Sequence, residues 1–125
     1  MKTKKSAGRR QSSGPQQETF NDGTLSAVGR YTEGKKSGTW KYYFRNALLK
    51  ATGKYMDGQL EGPWKWYRES GKLLQTGSFK DGKQHGLWKR YQVNGKLYDA
   101  GQYLEGKKTG AWKTYDVSGK LKRKR

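Results

Sequence analysis

The sequence predicts an all-β fold, an elongated single-layer antiparallel β-meander made of four tandem hairpin repeats of 24 residues. Three observations predict it. The same residue types return every 24 positions without a gap. Each repeat contains two β-prone runs separated by an acid–glycine pair, which is a strong hairpin signal. The 18 glycines follow one another at intervals too short for an ordinary helix.

The repeat shows itself as columns of matching residues. The tryptophan column is Trp40, Trp64, Trp88 and Trp112. The lysine column follows at once with Lys41, Lys65, Lys89 and Lys113, and the tyrosine column stands two positions further on with Tyr43, Tyr67, Tyr91 and Tyr115. Columns of leucine and glycine keep the same register. A fixed period of this size indicates an array of one supersecondary unit.

Each element of the repeat can be justified from the first unit, residues 23–46. Leu25, Gly29 and Tyr31 share one parity, which is typical of a strand. Glu33-Gly34 then predicts a hairpin turn, because glycine accepts a positive φ without a Cβ clash. The aromatic run 40–44 forms the second strand. Two strands in each of four units give a predicted total of eight.

The length of the hairpin loop decides which side chains share a face. With an even loop, such as the two-residue turn Gly34-Lys35, Trp40 lies opposite Gly29 and its indole fills the space that a side chain would need. The core face then carries the tryptophan column together with Leu25 and Tyr31. The other face carries the lysine and tyrosine columns. An odd loop would exchange these pairings.

The segments outside the repeats are basic. Residues 1–19 are predicted to be a disordered arm rich in Ser, Gly, Gln and Lys. The repeats occupy residues 20–118, with units 23–46, 47–70, 71–94 and 95–118. Residues 119–125 form a basic tail, whose Lys/Arg cluster either ends an edge strand that starts near Leu121 or hangs free.

The formal net charge of +18 is the second large fact about the sequence. About half of it lies on the two terminal segments, which are candidate electrostatic arms. Their basic residues are Lys2, Lys4, Lys5, Arg9, Arg10, Lys120, Lys122, Arg123, Lys124 and Arg125. Such a charge favours acidic protein surfaces or polyanions as partners, and it does not determine the fold.

The composition argues against a catalytic or metal site. Without cysteine there is no disulfide, no thiol catalysis and no cysteine metal site, which makes a reducing cytoplasm the expected location. His85 has no second histidine to act with, so we interpret it as an ordinary loop residue. The acids before the turn glycines serve turn geometry. We therefore expect no enzyme, no cofactor and no transmembrane segment.

The repeated residues also resemble a known family. The string Gly-x-Tyr-x-Asp/Glu-Gly-x-x-x-Gly-x-Trp-Lys-x-Tyr, closed by Asn/Ser-Gly-Lys-Leu, resembles the MORN-type repeat, and most of all the bacterial variant found in YwqK-family antitoxins. Residues 53–58 with 62–67 show the pattern, as do residues 77–83 with 86–91. The resemblance implies a twisted antiparallel sheet and a protein-binding scaffold with an antitoxin or immunity role. For eukaryotic members it implies lipid binding, and it offers no catalytic residues.

The lysine and tyrosine columns are the candidate binding face. Basic residues that alternate with aromatic ones suit an acidic protein surface, since tyrosine supplies rigid contact area, and they also suit a single nucleic-acid strand. The alternative is that the tyrosines pack on the sheet while the lysines are solvated. We expect a non-enzymatic scaffold for a protein partner, with an antitoxin role. Nucleic acid or acidic lipid headgroups are the alternative partners.

Overall fold

The structure, a computed structural model, describes residues 13–124, which form one antiparallel sheet. The strands are β1 (Gly14–Thr19), β2 (Leu25–Thr32), β3 (Lys35–Tyr43), β4 (Leu49–Met56), β5 (Gln59–Tyr67), β6 (Leu73–Lys80), β7 (Lys83–Gln84), β8 (Gly86–Tyr91), β9 (Leu97–Leu104), β10 (Lys107–Tyr115) and β11 (Leu121–Lys124). Residues 13–124 contain no helix.

The strands follow one another in chain order from β1 to β11, with β7 beside β6 as a short branch, so the predicted meander is confirmed. The sheet has eleven strands and not eight. One predicted strand is split into β7 and β8 at His85, whose backbone N–H donates to the Ser78 carbonyl at 2.9 Å. The other two additional strands lie at the ends of the sheet.

The hairpin turns confirm the role of the acid–glycine pairs. In the first unit Thr32 pairs with Lys35, so the two turn residues are Glu33 and Gly34 and not Gly34 and Lys35. Their φ angles of 50° and 81° belong to a type I′ turn, whose twist matches that of the flanking strands. The same turn returns at Asp57-Gly58, Asp81-Gly82 and Glu105-Gly106.

A bulge places each indole on a glycine. Val28 pairs with Lys41 while Arg30 pairs with Ser37, which leaves Gly29 opposite three residues of β3. A Cβ on Gly29 would lie 2.0 Å from Cδ2 of Trp40. The predicted placement of the indole over Gly29 is therefore confirmed, although a bulge and not a regular ladder pair produces it.

A second bulge corrects the predicted position of the leucine column. Tyr42 pairs with Ala51, but Tyr43 pairs with Leu49, so β4 contains one additional residue at this point. Because cross-strand partners share a face, Leu49 lies with Tyr43 on the face opposite Trp40. The prediction that Leu25 and its column join the tryptophans is wrong, since it assumed unbroken alternation.

The ends of the sheet also differ from the sequence prediction. Gly14–Thr19, predicted as part of the disordered arm 1–19, is a strand that pairs with β2. It occupies the place of a second strand of a unit, with Gln16 in the tryptophan column. At the other end Leu121–Lys124 pairs with β10 as the first strand of a further unit. The four units thus lie between two half units, one at each end.

The core is a layer of tryptophans on one face. Their exposed fractions are 0, 3, 5 and 9 % from Trp40 to Trp112. Each indole N–H donates to a backbone carbonyl ten residues earlier at 3.1–3.2 Å; the acceptors are Arg30, Lys54, Ser78 and Gln102. The tryptophans are therefore fixed structural residues, as the sequence predicted, and we call this side of the sheet the tryptophan face.

Candidate functional site

The lysine column forms a continuous row across the sheet on the side opposite the tryptophans, which we call the lysine face. The row follows the cross-strand pairs in order and consists of Gln17, Val28, Lys41, Thr52, Lys65, Thr76, Lys89, Ala100, Lys113 and Lys124. All of these residues pair in register, so the sheet brings the predicted lysines together on one face.

The spacing of the lysines follows from the repeat. Consecutive lysines of the column are separated by two strands, which is about 10 Å. The residue between them is small, Thr52, Thr76 or Ala100, and gives the cation no partner. Lys41, Lys65 and Lys113 are exposed, and Lys89 is half-buried. The row therefore presents evenly spaced positive charges to solvent.

Acidic residues are nearly absent from this face. Of the ten acids in the sequence, seven lie in turns between strands. Among the residues that the structure describes, Glu61 is the one acid on a strand of the lysine face, opposite Lys54. Its Oε1 accepts a hydrogen bond from the backbone N–H of Asp81 at 3.1 Å. The repeat therefore separates charge, with acids at the turns and lysines on the face.

The tyrosine column has a partly structural role. Tyr43, Tyr67, Tyr91 and Tyr115 are all half-buried and pair with Leu49, Leu73, Leu97 and Leu121. Each tyrosine therefore lies beside a leucine at the end of the strand nearest the turns between units. The two columns form an aromatic and aliphatic band beside the lysine row. The structure brings all eight predicted site residues to one face.

The predicted electrostatic arms are only partly described. Lys2, Lys4, Lys5, Arg9, Arg10 and Arg125 lie outside the described residues. Lys120 is in the last turn and Lys122 is in β11, and both are exposed. Arg123 and Lys124 pair through their backbones with Thr114 and Lys113. The C-terminal cluster thus ends an edge strand, which was one of the two alternatives that the sequence left open.

The tryptophan face has its own polar cluster in the first unit, which the sequence did not indicate. Nζ of Lys36 lies 4.8, 5.5 and 5.2 Å from the ring centroids of Trp40, Tyr42 and Tyr55. It donates to the Tyr42 hydroxyl at 3.1 Å, and the Tyr42 and Tyr55 hydroxyls are 2.8 Å apart. Burial raises the pKa of both tyrosines, and that of Tyr55 more. Lys36 therefore covers the rings at this end of the face.

In the third unit the same face carries an ion pair. Arg90 donates from Nε and Nη2 to the two carboxylate oxygens of Asp99 at 3.1 and 2.7 Å. Hydrogen bonding to Asp99 raises the pKa of the Arg90 guanidinium. Asp99 is 7 % exposed, the one buried charged residue in the described part of the chain. The sequence signal for this pair is the break in the column Tyr42, Trp66, Arg90, Thr114.

The residues considered for catalysis are not assembled into a site. His85 is half-buried where β7 meets β8. Within residues 13–124 no group of three or more His, Asp and Glu side chains is placed to hold a metal ion. The same part of the chain includes no helix with the length and apolar character needed to cross a bilayer.

Comparison with known proteins identifies the repeat. Residues 60–81 match the family model described as MORN repeat variant. This segment runs from β5 of the second unit into the turn after β6, and the other units carry the same columns. The match supports a MORN-type repeat protein. A resemblance to YwqK-family antitoxins is not part of this finding, and no curated protein matches the chain.

Proposed function

We propose that this protein is a non-enzymatic repeat scaffold whose lysine face binds the acidic surface of a partner protein. The observation that carries the proposal is the row of lysines in register across the sheet, about 10 Å apart, on a face with one acid on its strands. Nothing in the repeat requires a lysine next to the structural tryptophan. Its return in every unit therefore supports a role at the surface.

The shape of the face favours a protein over a flexible strand. The tyrosines pair with leucines and are half-buried, so only part of each ring is open to a partner. A broad band of tyrosine and leucine beside a charged row resembles an interface in which aromatic residues supply contact area. The lysines then accelerate association and select acidic partners more than they add affinity.

An antitoxin or immunity role is the form of this function that the sequence resemblance suggests. In that form the partner is a toxin with an acidic surface, encoded beside this protein, and both act in the cytoplasm. The support is the MORN-type repeat together with the charge of the lysine face. A toxin with a basic surface would be repelled by this face, so the proposal specifies an acidic one.

The experiment compares two charge variants of the full chain. The face variant replaces Lys41, Lys65, Lys89 and Lys113 with Glu, and the control replaces Lys35, Lys80, Lys83 and Lys107 with Glu, which are exposed beside the hairpin turns, at the strand ends away from the tyrosine and leucine band. Both lower the net charge equally. Proteins retained by the immobilised wild-type chain are identified, purified and titrated against all three chains. We expect the face variant to lose binding at least tenfold while the control loses much less.

Equal losses in the two variants would show that total charge and not the lysine face holds the partner. For the antitoxin form, the product of the adjacent gene is expressed with and without this chain in the same cells. Growth arrest that wild type relieves and the face variant does not is the expected result. No growth arrest by that product removes the antitoxin form and leaves the scaffold proposal to the titration.

Binding to a polyanion is the second candidate, and the net charge of +18 is the observation that favours it. Polyanion binding is recognised by an affinity that depends steeply on salt concentration, because each phosphate contact releases counterions. With six or more contacts the affinity falls by about a thousandfold between 50 and 200 mM salt. Retention on heparin that survives in the face variant would assign polyanion binding to the remaining charges and not to the lysine row.

A further inference from the structure

The tryptophan face carries a stack of aromatic rings that runs across the first three units. It alternates between the tryptophan column and the residue two positions after it, in the order Trp40, Tyr42, Trp64, Trp66 and Trp88. Neighbouring centroids are 6.1, 6.4, 6.0 and 5.5 Å apart, and the ring planes differ by 28–32°. Each space between consecutive tryptophans of the column therefore holds one additional ring.

The stack stops after Trp88. The residue at the next position of the stack, in the column of Tyr42 and Trp66, is Arg90. Its guanidinium pairs with the Asp99 carboxylate and lies 5.1 Å from the Tyr98 ring centroid. Tyr103 contacts Trp88 and Trp112 edge-on at 5.4 and 5.3 Å, as Tyr55 and Phe79 do in earlier units. Between Trp88 and Trp112 the edge-on ring is thus present and the stacked ring is missing.

A depression of about 170 Å³ lies at this place. Its walls include Trp88, Trp112 and Tyr103, and its rim carries polar groups from Gln75, Gln84, Arg90, Asp99 and Lys108. We call it the ring slot. In the first unit the corresponding surface is covered by Lys36, whereas the residue of that column here is Gln84, which carries no charge to place over the rings. The ring slot is therefore open where the equivalent position in the first unit is closed.

We propose that the ring slot binds a single six-membered heteroaromatic ring, a pyrimidine base carried by a free nucleotide or by an unpaired residue of a single strand. The volume of about 170 Å³ is large enough for one six-membered ring, since benzene fits in a cavity of about 150 Å³. The indole N–H groups of Trp88 and Trp112 already donate to Ser78 and Gln102, so only their ring faces remain for stacking. Tyr42 and Trp66 show the geometry that an inserted ring takes.

The rim selects the chemistry of the ring. The amides of Gln75 and Gln84 offer donors and acceptors to the edge of a base, while Arg90 and Asp99 are already paired with each other beside them. Nζ of Lys108 lies 4.5 Å from the Trp112 centroid and adds a positive charge at the mouth, where a phosphate would be attracted. A partner's tyrosine could fill the space, but its one hydroxyl would meet fewer of these amide groups than the edge of a base does.

The test fills the ring slot from within the chain. Arg90→Trp with Asp99→Ala reproduces the surroundings of Trp66, which pairs with Ala51 and Gln75. The double variant keeps the net charge at +18, so a loss of binding cannot come from charge. Arg90→Tyr with Asp99→Ala repeats the test with the ring of the first unit. The control Lys65→Ala changes the opposite face and leaves the slot intact.

The probes are uridine monophosphate, a short oligouridylate and ribose 5-phosphate, titrated into the full-length chains. The indole N–H resonances are followed by NMR. We expect the first two probes to shift the resonances of Trp88 and Trp112, and ribose 5-phosphate to shift neither. We expect both filled variants, folded by circular dichroism, to lose at least tenfold in affinity, as the removal of a base stack does.

Binding of the mononucleotide as tight as that of the oligomer assigns the site to free nucleotides, and tighter oligomer binding assigns it to single strands. Equal binding by wild type and a folded filled variant would overturn the proposal, as would equal binding of ribose 5-phosphate. A tyrosine peptide that shifts the same resonances while uridine monophosphate does not would replace it with a protein partner. Of the three probes only the oligouridylate can also contact the lysine face, and the Lys65→Ala control measures that contribution.

Discussion

Ala47 stands where the other units have glycine, and its backbone conformation is strained. Its φ is 74°, and the corresponding Gly23, Gly71, Gly95 and Gly119 have φ between 89° and 94°. A left-handed conformation costs a residue with a Cβ about 1–2 kcal/mol. Glycine would remove this strain and lose part of the gain to its greater freedom in the unfolded chain.

We predict that Ala47→Gly raises the free energy of unfolding by about 0.5–1 kcal/mol, measured by urea denaturation. The matched control is Gly95→Ala, because a Cβ at Gly95 meets nothing within 4 Å and feels only the strain. It should lower stability by about 1 kcal/mol. A neutral or destabilising Ala47→Gly would mean that the turn does not hold the residue in this conformation.

The glycines under the indoles act by close approach and not by a positive φ. A Cβ at Gly53 would lie 2.0 Å from Cδ2 of Trp64, so the indole would have to leave its place. We predict that Gly53→Ala costs about 3 kcal/mol of unfolding free energy, at the upper end for overpacking in a core. Chemical denaturation of the single variant measures this loss.

A double-mutant cycle isolates the cause. Trp64→Ala alone should cost about 3–5 kcal/mol. In that background Gly53→Ala should be neutral or slightly favourable, because alanine suits a strand better than glycine once the indole is gone. Additive losses would show that Gly53 acts through its backbone and not through Trp64.

At the scale of the strand, the sequence predicted the elements better than their faces. The acid–glycine turns followed from a local rule, since each depends on a few adjacent residues. Trp40 was placed over Gly29 from a turn at Gly34-Lys35; the turn lies one residue earlier, and a bulge in β3 restores the placement. The leucine column was assigned to the wrong face because a bulge at each turn between units inserts one residue. The sequence does not reveal this bulge, because the additional residues, Lys50, Leu74 and Tyr98, are of three different chemical types.

The two candidate sites also differ in how well the sequence predicted them. The lysine and tyrosine columns could be placed on one face from the sequence, because alternation between the tryptophan and the tyrosine of each unit is undisturbed and the bulge lies before the tryptophan. The ring slot could not, although the replacement of Tyr42 and Trp66 by Arg90 was visible. The sequence does not indicate where the Arg90 side chain points, because its direction depends on the ion pair with Asp99.

The strands β3 and β4 are joined by a hydroxyl pair that makes their stability depend on pH. The pKa of Tyr42 and of Tyr55 is raised above the ordinary value of 10.0, chiefly by burial. A raised pKa means that the folded chain holds these protons more tightly than the unfolded chain does. Their contribution to stability is therefore complete below about pH 10 and falls as the pH rises above it.

We predict that wild type loses stability from about pH 10 upward more steeply than Tyr55→Phe does. The measurement is the free energy of unfolding from urea denaturation at each pH. Tyr98→Phe, which removes an exposed hydroxyl from the same sheet, is the control, and it should follow wild type. Parallel curves for all three chains would show that the Tyr42 and Tyr55 hydroxyls are not protected in the folded state.

At the scale of the whole molecule the sheet is a one-dimensional array with polar ends. Each strand hydrogen-bonds only to its neighbours, and the aromatic rings reach no further than the next tryptophan of the column, so stability is approximately the sum of unit and interface contributions. At the first end Gln16, Gln17 and Glu18 replace the tryptophan, lysine and aromatic columns, which is why the sequence did not reveal β1 as part of the repeat. These polar residues suit an edge, because an exposed aromatic row there would invite pairing between molecules.

The array predicts that a whole unit can be removed while half a unit cannot. Deleting residues 47–70 joins Asn46 to Gly71 and re-forms the turn that the other units use, with glycine in place of the strained Ala47. We expect the shortened chain to keep a strand-type circular dichroism spectrum and to unfold at lower denaturant, because it has lost one unit and one interface.

Deleting residues 47–58 removes one strand of a hairpin and reverses the direction of every strand after it. That chain should lose the cooperative transition, since its tryptophans no longer meet their glycines. If both deletions unfolded alike, the stability of the sheet would depend on the complete chain, and the nearest-neighbour description would be wrong.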